Sequence, residues 1–87
     1  MVWQANEDAT FGHRVGKSPS ELGVTTGTTS CPDLWELSNG DFAVIGTDLT
    51  KKYRAELPDG VALAEYESLV VIPRATLASA KNGLPNG

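Results

Sequence analysis

Apolar and polar positions alternate most clearly in the middle of the chain. In Leu34-Trp-Glu-Leu-Ser-Asn-Gly-Asp-Phe-Ala-Val-Ile45, two strand-like runs flank Asn39-Gly40. Asn-Gly tolerates the positive φ angles of a two-residue type I′ turn, so the pattern predicts a β-hairpin. That turn sets Leu37 opposite Phe42, Glu36 opposite Ala43 and Trp35 opposite Val44. Side chains alternate faces along a strand, so Trp35, Leu37, Phe42 and Val44 would form one core-facing cluster. Leu34, Glu36, Ala43 and Ile45 would form the less bulky face.

Beyond the hairpin the period lengthens. Leu49, Tyr53 and Leu57 recur every fourth residue, which predicts a helix over 49–57 with Thr47 or Asp48 as its cap. Lys52 and Glu56 form an i,i+4 pair, and Lys51 and Arg54 point away from the stripe. Pro58-Asp-Gly60 ends the helix, and 61–67 reads as a loop. Ser68-Leu-Val-Val-Ile72 has no polar alternation, as expected of an interior strand covered on both faces. Pro73 then suits the first position of a helix over 74–82, with Gly83 just past its end. Leu77, Ala80 and Leu84 fall on the side expected to be buried. The order is ββαβα, an α+β domain with a three-stranded sheet, strand order 2-1-3, and two helices.

Residues 1–30 read differently. Val2, Trp3 and Phe11 are thinly spread, and Gly23-Val-Thr-Thr-Gly-Thr-Thr-Ser30 has no hydrophobic period. Such a stretch buries too little apolar area to offset its ordering entropy, so 1–30 is expected to be a flexible, mostly disordered arm. Within it, Ser18-Pro-Ser-Glu-Leu22 has the makings of a short helical turn. The domain is expected over 31–83, with 84–87 as a tail.

Composition narrows the function. The chain has 87 residues, 40% of them apolar, and a net charge of −4. It holds no run of the ~18–20 apolar residues a membrane helix needs. The excess of carboxylates disfavours nucleic acid as a partner. The acidic start Met1 to Asp8 lacks the apolar core of a secretory signal, which makes a cytoplasmic location the expectation. One cysteine, Cys31, excludes an internal disulfide, so a core of about fifty residues is expected to stand near the size where association begins to matter.

No chemical constellation emerges. Cys31 and His13 lie eighteen positions apart, without the paired spacing of a zinc site. Cys31 has no base beside it to make a thiolate. Asp33, Glu36, Asp41 and Asp48 have ready structural roles in strand, turn and cap. Gly46-Thr-Asp48 enters a helix but lacks the glycines of a dinucleotide fingerprint and the lysine of a P-loop. No metal and no cofactor is expected. Lys51, Lys52 and Arg54 form a small basic face in a segment, 31–83, that holds eight carboxylates and five cations.

Cys31-Pro-Asp-Leu-Trp-Glu, Gly40-Asp-Phe-Ala-Val-Ile-Gly46 and Val70-Val-Ile-Pro-Arg74 together resemble a group of short, uncharacterised actinobacterial proteins with no established activity. The resemblance covers about fifty residues and implies an actinobacterial origin and a domain start near Cys31. It implies no catalytic or binding role.

The sequence therefore favours a small non-enzymatic, protein-interaction or regulatory module acting through a protein partner or a homodimer. Candidate partner-binding residues are Trp3, Trp35, Lys51, Lys52 and Arg54. The alternative is an accessory enzyme or small-ligand binder of specialised metabolism using Cys31 or the hairpin carboxylates. A third reading, a nucleic-acid-associated regulator, would use the basic face at 51–54.

Overall fold

A computed structural model of the chain describes residues 3–24 and 32–84. Strand β1 (Phe11–Arg14), β2 (Asp33–Leu37) and β3 (Phe42–Ile45) form an antiparallel sheet in the order β1-β2-β3. Strands β4 (Thr47–Asp48) and β5 (Val70–Val71) form a separate two-stranded antiparallel ladder. Helix α1 (Thr50–Tyr53) runs into a 3-10 turn at Arg54–Glu56. Helix α2 (Arg74–Ser79) runs into another at Lys81–Gly83. The α+β class and the three-stranded sheet agree with the sequence pattern, but the membership of that sheet does not.

The third strand comes from the segment expected to be a disordered arm. Residues 3–24 belong to the folded domain, and Phe11-Gly-His-Arg14 is a strand paired with β2. The pairing continues beyond it, with the Val15 N–H donating to the Leu34 carbonyl at 2.9 Å. The helical turn expected at Ser18 is present as a reciprocal cap. Ser18 N–H donates to Glu21 Oε1 at 2.9 Å, Glu21 N–H to Ser18 Oγ at 3.3 Å, and Leu22 N–H to the Ser18 carbonyl. Sparse apolar residues sufficed because strand pairing satisfies backbone groups whatever the side chains are.

The segment expected to be a covered interior strand, 68–72, instead contributes the short β5. The 57–69 connection brings it back beside β4, where Leu49 N–H donates to the Leu69 carbonyl at 3.0 Å. The Thr50 hydroxyl accepts the Leu69 N–H at 2.7 Å. Val71 is exposed, so this ladder is not buried on both faces. Gly46 allows the close crossing: a Cβ there would stand 2.6 Å from the Val71 carbonyl oxygen.

The hairpin is present, one residue out of the expected register. The pairs are Glu36 with Phe42, Trp35 with Ala43, Leu34 with Val44 and Asp33 with Ile45. Among the described residues only glycines have positive φ, so Asn39 does not take the type I′ conformation. Gly40 alone does, with φ 91°. Gly40 N–H donates to the Leu37 carbonyl at 3.0 Å and Leu37 N–H to the Asp41 carbonyl at 2.7 Å. This is a three-residue turn ending in a left-handed glycine. Asn39 Oδ1 accepts the Asp41 N–H and holds it there.

One added turn residue sends alternate side chains to the opposite face. Trp35 and Leu37 now share a face with Ala43 and Ile45, while Phe42 and Val44 lie with Leu34. The expected four-residue core cluster is thereby split. The core sits at the other end of the hairpin, where Val15, Leu34 and Ala80 are buried with Ile72 against them. Helix α2 lies against β2 there and buries Thr76 and Ala80, four residues apart on one helical face. Leu77 and Leu84, expected inside, are exposed. Pro73 is the N-cap of α2, and Gly83 belongs to the 3-10 turn without positive φ.

Candidate interaction surface

The two edges of the three-stranded sheet differ in chemistry. Edge strand β1 carries His13 and Arg14, and it is interrupted where Phe11 pairs with Leu37 and His13 already with Glu36. Gly12 is the extra residue of this bulge. A Cβ there would meet the Glu36 carbonyl oxygen at 2.9 Å. The bulge also reverses side-chain parity, so that Phe11 and Arg14, three positions apart, both reach Trp35. Phe11 packs edge-on to Trp35 with ring centroids 5.7 Å apart, and the Arg14 guanidinium lies 4.9 Å from the Trp35 ring centroid.

Arg14 also makes a bidentate pair with the buried Asp33: Nε to Oδ1 at 2.8 Å and Nη2 to Oδ2 at 2.9 Å. The hydrogen bond from Arg14 holds the Asp33 carboxyl below its ordinary range, against the opposing effect of burial. Reciprocally, it raises Arg14. Trp35, a candidate partner anchor, is thus half-buried between Phe11 and Arg14.

Edge strand β3 has none of these features. Phe-Ala-Val-Ile carries no charge, no proline and no irregular pairing. Phe42, Val44 and Ile45 are 41%, 44% and 44% exposed. The ladder fixes which backbone groups face outward. Leu37 bonds toward the β3 side, whereas the Leu34 carbonyl accepts from Val15 on the β1 side. Odd-numbered residues of β2 therefore bond Ala43 and Ile45, which leaves the backbone groups of Phe42 and Val44 directed to the free edge. Among the described residues no strand pairs with that edge.

Concave surfaces among the described residues lie elsewhere. An open groove of about 750 Å³ runs along the outer side of α2, floored by Ile72, Leu77, Ala78 and Leu84 and flanked by Arg74 and Lys81. A cleft of about 400 Å³ lies between Trp3 and Tyr66.

Lys51, Lys52 and Arg54 remain together on the surface of α1 and its 3-10 extension. Lys52 binds Glu56 at 3.3 Å, the expected i,i+4 pair, and lies 4.2 Å from the Tyr53 ring centroid. Arg54 reaches the Leu63 carbonyl at 3.5 Å. Two of the three cations thus have partners within the domain, and the site lacks a convergent basic pocket.

The hairpin carboxylates serve locally. Asp33 holds Arg14, Asp41 accepts from Asn39 Nδ2, and Asp48 Oδ1 accepts both the Thr50 N–H and hydroxyl. The Thr50 bonds keep Asp48 below the ordinary carboxylate range. Asp48, one of the two residues expected as a cap, does accept an amide at the start of α1. Cys31 lies outside the described residues. Among the described residues no cluster of histidine, cysteine and carboxylates is placed to hold a metal. No described helix is long and apolar enough to cross a membrane.

Sequence reasoning missed Phe11 and Arg14 as partners of Trp35, and Tyr66 as a neighbour of Trp3. The apolar ends of Phe11-Gly-His-Arg-Val15 were the only local signal for the first, and the second joins residues sixty-three positions apart. No family model, curated protein or solved structure matches this chain.

Proposed function

We propose that this domain is a non-enzymatic, self-associating interaction module whose pairing surface is the free edge of β3, with a second copy of the chain as occupant. The observation that supports it is the asymmetry between the edges. An edge strand presents unpaired donors and acceptors, and proteins ordinarily blunt such a strand with a charge, a proline or a bulge. β1 has a bulge and two basic side chains; β3 has an apolar run. Across a two-fold axis β3 can pair antiparallel with its own copy, since the same outward groups of Phe42 and Val44 recur on both sides. The product is a six-stranded sheet in which the outward backbone groups of Phe42 and Val44 are paired. Four residues a side make a small interface at the weak, transient end of the scale, with an expected dissociation constant on the order of micromolar.

Sedimentation velocity over a concentration series tests this. Wild-type protein should convert from monomer to dimer as concentration rises. Val44→Lys should remain monomeric, and Val44→Pro should do the same by removing an outward N–H without touching a β2–β3 bond. Unchanged far-UV circular dichroism would show that both variants fold. A wild type that stays monomeric up to about 1 mM, a concentration a micromolar constant saturates, or folded variants that dimerise like wild type, would overturn the proposal.

A further inference from the structure

The domain's aromatic side chains show a pattern that the pairing edge does not use. Trp35 has Arg14 at 4.9 Å from its ring centroid, and Tyr53 has Lys52 at 4.2 Å. Each of these rings carries a cation from the domain itself. Trp3 and Tyr66 are 69% and 78% exposed, they line one cleft of about 400 Å³, and no cation of the described residues lies over either ring. The same cleft is lined by Glu7 and Glu67. Glu67 Oε1 accepts the Ala64 N–H at 2.8 Å, which orients that side chain, and Oε2 has no hydrogen-bond partner among the described residues.

Among the described residues, two aromatic rings with two carboxylates and no basic lining group form an environment selective for one ligand chemistry. The ring quadrupoles attract a cation of diffuse charge, and the carboxylates supply the opposite charge. A compact, strongly hydrated ion gains little from an aromatic face, whereas an alkylated ammonium sheds its weak hydration readily. An anion is repelled, and a neutral apolar group gains nothing from the glutamates.

We infer that the Trp3–Tyr66 cleft, with Glu7 and Glu67, is a binding site for an alkylated ammonium group. The site is separate from β3, so it stands whether or not the domain dimerises. The group reaches it either as a free small cation or on the end of an alkylated lysine side chain.

The test is a titration followed by ¹H–¹⁵N correlation spectra, in which the indole N–H of Trp3 is resolved from that of Trp35. Tetramethylammonium chloride and a short peptide bearing trimethyllysine are the two probes. Sodium chloride at equal ionic strength and 3,3-dimethylbutanol, a neutral analogue of similar shape, are the controls. The Trp3 indole resonance should move saturably with both probes, the Trp35 resonance should stay, and neither control should reproduce the shift. Tighter binding of the peptide by tenfold or more identifies a side-chain ligand, and equal binding identifies a free cation. Trp3→Ala, followed by the backbone resonances of Tyr66, should weaken binding about fivefold, the scale of one solvent-exposed cation–aromatic contact. Glu7→Gln should weaken it while leaving the spectrum elsewhere unchanged. Equal shifts with sodium chloride or the neutral analogue, or wild-type affinity in Trp3→Ala, would overturn the assignment.

Discussion

Gly16→Ala tests the central packing contact, the seating of the N-terminal segment on α2. Gly16 has φ +82°, and a Cβ there would stand 2.6 Å from Ser79 Oγ and 2.9 Å from the Ala80 backbone nitrogen. Ser79 Oγ is further committed, accepting the Lys17 N–H at 3.2 Å and donating to the Thr76 carbonyl at 2.8 Å. Two costs add. A left-handed backbone costs a non-glycine residue about 1–2 kcal/mol, and forcing a methyl into packed backbone costs about 1–3 kcal/mol more.

Gly60→Ala provides the control, because Gly60 has φ +83° and a Cβ added there would meet nothing within 4 Å. It carries the first cost alone. The entropy that alanine removes from the unfolded chain is common to both variants and cancels. Urea denaturation followed by far-UV circular dichroism should therefore find Gly16→Ala less stable than Gly60→Ala by about 1–3 kcal/mol. In a domain whose total stability is about 4–13 kcal/mol, on the usual per-residue scale, that gap is easily measured. Equal midpoints and slopes for the two variants would refute the packing of residues 15–17 on α2, and with it the reading of 3–24 as part of the domain.

The Arg14–Asp33 pair predicts an acid dependence. The folded-state pKa of Asp33 lies below its unfolded value, so its contribution is present above the unfolded value of about 3.9 and is lost as pH falls through the folded value. Acid titration of stability should show a loss below about pH 4 that is reduced in Asp33→Asn; an identical acid limb in that variant would show that the pair contributes nothing. Arg14→Met should cost about 1 kcal/mol at pH 7 by urea denaturation, below the roughly 1.5–3 kcal/mol of a charged hydrogen bond, because the Arg14 side chain is 37% exposed and screened. Thr76 is 1% exposed, and its Oγ1 lacks a hydrogen-bond partner among the described residues. Thr76→Val replaces that hydroxyl by a methyl of similar shape and should raise stability by about 1 kcal/mol, the lower bound for a buried unpaired polar group. A loss of stability in Thr76→Val would instead reveal a partner for the hydroxyl.

Local chemistry, where it acted alone, was legible in the sequence. Asn39-Gly40 marked the hairpin, Lys52 and Glu56 made their pair, Ser18 to Leu22 made a turn, and Pro58-Asp-Gly60 preceded a loop. These depend on groups within about four residues, whose energies are settled by backbone geometry and nearest neighbours. The functional surface was less legible. The sequence singled out Trp3 and Trp35 as anchors but did not identify Tyr66 or Arg14 beside them, since nothing local links such distant positions.

Only the tertiary structure decided which strand completed the sheet and which faces became core. A conformational difference at Asn39 added one residue to the turn, and because side chains alternate, that residue moved Phe42 and Val44 to the face opposite Trp35. The choice of β1 over 68–72 turned on backbone pairing, which side-chain pattern does not encode. Sequence by itself determined an acidic α+β chain of 87 residues with a hairpin at its centre. The tertiary structure decided that Phe11–Arg14 rather than 68–72 would take the edge opposite β3, because 68–72 pairs with β4 instead.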